Sequence, residues 1–143
     1  MNKIFLDTNL WIRYILMDNK EQFSLVKSIL DLNEKGAIKL YTSSIIFLEI
    51  SYVLKKVYRF KFEEILEVMH SIRTTRGITV IKNTETDLAL SYLKAYKIKF
   101  SDCLIASQLK KDIILLSFDE DFCKIKEVNP QTPAEFLKSF KLN

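Results

Sequence analysis

The runs of this chain that read as β-strands are short and apolar throughout, and helical patterns separate them. Lys3–Leu6, "AIKLYT" at 37–42, "ITVI" at 78–81 and "DIILLSF" at 112–118 lack the in–out alternation of a sheet with one wet face. Such strands need cover on both sides. With helices between them, they predict a parallel sheet sandwiched by helices, a three-layer α/β/α arrangement. The helical segments are expected from Asn9 to about Met17, Lys20 to Asn33, Ser43-Ser44 to about Val57, 61–73, and about Thr84 to Tyr96. A further helix is opened by Ser101, and the tail "NPQTPAEFLKSF" gives a turn and then a last helix capped by Thr132 with Pro133 at its first position. Gly36 and Gly77 end helices. In an open parallel sheet the site lies at the carboxyl ends of the strands, so acids just past strands carry the functional question.

With 143 residues, 48% apolar and 28% charged, and only two glycines and two prolines, the chain is expected to form one domain over 1–143 with short connections. Its longest stretch without a charged side chain, Leu40 to Leu48, is nine residues, too short for a membrane helix. The N-terminus lacks a signal-peptide pattern, and Cys103 and Cys123 read as buried free thiols, which together suggest a cytoplasmic protein. The single histidine, His70, reads as structural, and no Cys/His zinc site can be assembled. The net charge of +4 permits a polyanionic partner without demanding one.

Four places carry acids where burial or an element end is expected. Asp7 stops the first strand; it can be a helix cap or a ligand. Glu49 lies in "SSIIFLEISYVLKK", with Ile45, Ile46, Tyr52 and Val53 at helical spacing, so it is either at the surface or, if buried, needs a cation or a proton. Asp102, in "FSDCLIASQLKK", suits the first turn of a helix by the dipole alone. Asp119, Glu120 and Asp121 follow the last apolar strand in a row. Each has an ordinary explanation, yet the set recurs at four element ends of a basic chain. Converging carboxylates repel, and an oxygen-only donor set points to Mg²⁺ or Mn²⁺ rather than zinc.

In "FLDTN" at 5–9, Glu49 alone in an apolar helix, "SDCLIAS" at 101–107 and "LSFDEDF" at 116–122, the chain resembles the PIN-domain nucleases, and among them the VapC-type toxins of toxin–antitoxin pairs. The order of the four motifs carries the resemblance over nearly the whole length. It implies a doubly wound α/β/α sandwich and Mg²⁺- or Mn²⁺-dependent endonucleolytic cleavage of single-stranded RNA. It also implies catalytic and metal-binding roles for Asp7, Glu49, Asp102 and Asp119, Asp121 as a fifth acid, and polar support from Thr8, Asn9, Ser101 and Ser117. A Thr often stands in the family where this chain has Ser117; the hydroxyl is kept. The expected chemistry is attack by metal-activated water, leaving a 5′-phosphate and a 3′-hydroxyl. The implied partners are a small antitoxin and a second copy of the chain.

Backbone contacts to RNA would come from cations around the acids. Arg13 is nearest in sequence, and "LKKVYRFKF" interleaves Lys55, Lys56, Arg59 and Lys61 with aromatics, although each can equally be a solvated helix end. Were the backbone to stay extended past Leu116, Ser117, Asp119 and Asp121 would share one face and Glu120 the other. A catalytically degenerate PIN-like binding module is the rival reading. Strand-end phosphotransferases fit less well: the position two beyond Asp7 is Asn9, and no adjacent acid pair follows the first strand.

Overall fold

A computed structural model describes residues 1–142. Among them, five strands form one all-parallel sheet: β1 (Asn2–Leu6), β2 (Ile38–Ser43), β3 (Thr79–Ile81), β4 (Ile113–Leu116) and β5 (Asn129–Gln131), in the order β3-β2-β1-β4-β5. The helices are α1 (Thr8–Leu16), α2 (Lys20–Glu34), α3 (Ser44–Lys56), α4 (Phe62–Arg73), α5 (Thr86–Tyr96), α6 (Phe100–Gln108) and α7 (Pro133–Leu142), with a 3₁₀ turn at Asp121–Lys124.

β1 lies at the centre, and Ile4, Phe5 and Leu6 are fully buried at consecutive positions, so both faces of the sheet are covered. Packing groups α1 with α2 and α3, α3 with α4, and α2 with α7, whereas α5 packs on α6. Right-handed crossovers explain the partition. The chain steps outward from β1 to β2 to β3 on one side, then returns past β1 to β4, and that reversal delivers α5 and α6 to the opposite face. The expected three layers follow.

The local signals act as the sequence suggests. Asp7 caps α1, accepting a hydrogen bond from the Thr8 N–H, and Ser43 caps α3 through the Ile45 N–H. Thr132 and Glu135 exchange hydrogen bonds as a capping box around Pro133. Gly36, at φ +75°, turns the chain from α2 into β2 in a conformation that favours glycine.

Three expectations are corrected. β4 stops at Leu116 instead of running to Phe118. Beyond it the Asp119 N–H donates to Ser117 Oγ, and the Asp121 N–H donates to Asp119 Oδ1. These two side-chain-closed turns bend the chain, so the extended register for Ser117, Asp119 and Asp121 does not exist. β5 is an additional strand where a turn was expected; it sits at the sheet edge, where Pro130 is tolerated. Cys103 is buried, but Cys123 is exposed, because it falls on the outer side of the 3₁₀ turn whose Phe122 enters the core.

Candidate metal centre

The sheet changes direction between β1 and β4, and ligands of such folds collect at the carboxyl end of that seam. Asp7 lies there. Its N–H donates to the Leu116 carbonyl at 2.9 Å, extending the ladder one residue past β1. Its Oδ1 accepts from the Thr8 N–H (2.8 Å) and its Oδ2 from the Ser117 hydroxyl (2.7 Å). Asp7 is therefore a helix cap, and it also meets two further acids. Oxygens of Asp7, Glu49 and Asp102 lie within 4.8 Å of one another.

Glu49 reaches the seam from α3. Val53, one turn on, lines the same cleft while Tyr52 is exposed, and the Glu49 side chain is 14% exposed. The Thr8 hydroxyl donates to Glu49 Oε1 at 2.9 Å and the Ser101 hydroxyl to Oε2 at 3.1 Å, fixing the carboxylate plane. Asp102 arrives from the opposite layer in the first turn of α6, where the helix dipole favours a negative charge, and it is only 3% exposed.

Ser117 joins these parts. Its hydroxyl donates to Asp7 and accepts from Asn9 Nδ2 (3.2 Å) and the Asp119 N–H (3.0 Å), while Asn9 Oδ1 accepts from the Phe118 N–H (3.3 Å). Ser117→Ala would leave these donors unpaired and free the Asp7 carboxylate to rotate. Titration calorimetry with Mn²⁺ should then show a loss of affinity of about 10–100-fold, the scale typical of groups that orient a ligand.

Burial dominates the electrostatics. It pushes Asp7 up to about 6, although the hydrogen bonds from Ser117 and Thr8 oppose it. It pushes Asp102 up to about 7 against the pull of Lys99, helped by the charges of Asp7, Glu49 and Asp119. Lys99 is raised: burial pulls its ammonium down, but Asp102 and Glu49 outweigh that.

Carboxyl groups whose folded value lies above the unfolded one bind protons more tightly when folded, so their ionisation opposes folding. The metal-free protein should therefore lose stability as pH rises from about 4, the unfolded value, to about 7, through the folded values of Asp7 and Asp102. Asp102→Asn should flatten much of that decline in thermal melts. Divalent-ion affinity should rise over the same range, because ligation requires the carboxylates.

The other sequence-derived residues divide. Asp119 is exposed and lines the same cleft, but it stands outside the trio of converging oxygens. Asp121 pairs with Lys124 at 3.8 Å, and Glu120 is exposed. Arg13 lines the cleft with its guanidinium turned to Asp18 (2.7 Å) and the Tyr58 hydroxyl (2.7 Å). Lys56 follows Glu49 by seven residues and so lies on the same side of α3, two turns away; Lys55 is on another side, and Arg59 is in the turn beyond. Lys99 was missed. Its Nζ stands 3.2 Å from Glu49 Oε2 and 3.8 Å from Asp102 Oδ1. Its spacing three residues before Asp102, just ahead of the helix, was the available signal.

The cleft measures about 250 Å³. A larger one of about 640 Å³ between α1, α2 and α4 lacks any comparable convergence of buried carboxylates. Mg²⁺ ligands at about 2.1 Å stand no more than about 4.2 Å apart across the ion. The observed 4.8 Å limit is thus within a small contraction of an oxygen-ligated site, and the donor set fits a hard divalent ion.

No curated protein matches the sequence. Solved structures share the fold. VapBC-1 from nontypeable Haemophilus influenzae gives a TM-score of 0.63 at 18% identity, covering 92% of this chain and 98% of that one. VapBC2 from Rickettsia felis, solved with a DNA fragment from its promoter, gives 0.62 at 16%, covering 90% and 97%. FitAcB from Neisseria gonorrhoeae gives 0.59 at 19%, covering 92% and 98%. The PIN domain family model matches residues 4–128, and with that match over most of its length the chain belongs to the PIN domain family.

Proposed function

We propose that this PIN-domain protein is a Mg²⁺- or Mn²⁺-dependent endoribonuclease that cleaves single-stranded RNA, and that it is the toxin of a toxin–antitoxin pair. The observation that carries the reading is the convergence of Asp7, Glu49 and Asp102 from three separate elements, each at the carboxyl edge of the sheet. Two of the three are buried, and hydroxyls orient Asp7 and Glu49. Carboxylates held so close cost stability unless a cation offsets them.

Asp7, Glu49 and Asp102 would hold the ion, with Asp119 lining the same cleft. A divalent ion bound there supplies charge neutralisation at a phosphodiester and acidifies water for in-line attack. The chain's residues do the positioning. Thr8 and Ser101 keep the Glu49 carboxylate in plane, and Ser117 and the Thr8 N–H set Asp7. No side-chain nucleophile is required. Lys56, on the Glu49 side of α3, would meet RNA phosphates beside the cleft, and Arg13 would join it on leaving Asp18 and Tyr58.

The toxin assignment draws on the motif resemblance and on the VapBC names of two fold neighbours. It implies a small neutralising partner protein and a homodimer.

The test is incubation of the purified protein with mixed RNAs and Mn²⁺ or Mg²⁺. Cleavage to 5′-phosphate ends that stops in EDTA, and that zinc alone does not restore, supports the reading. RNA that binds but remains intact with either ion would instead favour a catalytically degenerate binding module.

A further inference from the structure

Lys99 is in an unfavourable place for an ammonium group. Its carbonyl accepts from the N–H groups of Asp102 (3.1 Å) and Cys103 (3.3 Å), so the residue is the N-cap of α6, at the positive end of the helix dipole. A cation there is repelled by the helix. What holds it is the pair of carboxylates, Glu49 Oε2 at 3.2 Å and Asp102 Oδ1 at 3.8 Å. The other cation lining the cleft, Arg13, is committed to Asp18 and Tyr58. Lys99 is thus the positive charge that offsets the acids from within the chain. Its side chain is 62% exposed on a flexible four-carbon stem, so it can swing away without moving the backbone.

We infer that Lys99 is a built-in counter-ion that occupies the divalent ion's place against Glu49 and Asp102 and is displaced when that ion binds. The inference rests on the metal-nuclease reading above. A divalent ion on the same oxygens would lie within a few ångströms of the ammonium, and like charges at that range repel. Metal binding must therefore break both Lys99 contacts, which weakens the ion's net affinity. The same ammonium lessens carboxylate repulsion in the metal-free protein. Because Lys99 is largely solvated, the penalty is modest.

Calorimetric titration of metal-free protein with Mn²⁺ tests this. Lys99→Met, which keeps the apolar stem and removes the charge, should bind Mn²⁺ roughly 3- to 10-fold more tightly than the unsubstituted chain. Lys99→Arg should stay within about twofold, since it retains the competing charge. Lys94→Met removes a charge on exposed α5, away from the cleft, and should also leave the affinity unchanged. In thermal melts without metal, Lys99→Met should unfold at a lower temperature than the unsubstituted chain, and saturating Mn²⁺ should close that gap. Equal or weaker Mn²⁺ binding by Lys99→Met overturns the inference, as does equal tightening by Lys94→Met, which would reduce the effect to net charge. If neither the unsubstituted chain nor Lys99→Met binds Mn²⁺, the metal-nuclease reading itself fails and takes the inference with it.

Discussion

Asp7→Asn is expected to reduce metal-dependent RNA cleavage by about 10³-fold or more while leaving the protein folded. Removing one of three carboxylates weakens the ion's grip and its positioning at once, and a loss of several kcal/mol of transition-state stabilisation corresponds to that factor. The fold should survive because the substitution is close to isosteric. The amide oxygen can still accept from the Thr8 N–H, so the cap of α1 is kept. The bond from the Ser117 hydroxyl is lost, which costs about 1 kcal/mol. Against that, a buried group whose ionisation opposes folding at neutral pH has been removed. Melting temperature near pH 7 should therefore change little. Retained cleavage in a folded Asp7→Asn protein would remove Asp7 from the proposed centre.

The largest effect on stability is expected at Phe5. Phe5→Ala should cost about 3–5 kcal/mol in denaturant unfolding, the range for a large aromatic in a close-packed core. Phe5 is fully buried on the central strand, with Tyr41 and Leu115 as its register neighbours on β2 and β4. The cavity would open in the middle of the sheet, where the layers have least freedom to collapse into it. Because the Asp7 backbone is still extended, Phe5 and Asp7 project to the same side, and the void would open on the carboxylate's side of the sheet. Mn²⁺ affinity should fall along with stability. A loss below about 1 kcal/mol would mean that the sheet closes around the gap, against the packing seen here.

The alternation of apolar strands with amphipathic helices was sufficient for a parallel three-layer architecture, since backbone pairing and two-sided burial leave few other arrangements for such runs. It also marked Asp7, Glu49 and Asp102 as acids in apolar surroundings, a conflict visible in each local stretch. Sequence could not supply the path beyond Leu116. That path is closed by the Ser117 and Asp119 side chains and anchored by Asn9, which bonds Ser117 from 108 residues away, and it gives Asp119 and Asp121 different surroundings. Nor could it supply β5, whose "NPQ" has no strand-like pattern and pairs only because an edge of β4 is open to it. Lys99 belongs with these: beside Asp102 it reads as one more lysine ahead of a helix, and only the arrival of Glu49 from another layer makes it the counter-charge of the cluster. Local patterning therefore determined the layers and the suspect acids, because burial and periodicity are properties of short segments. Tertiary structure alone decided which charges face one another, because Coulomb energies depend on distances between segments that the chain's order does not contain.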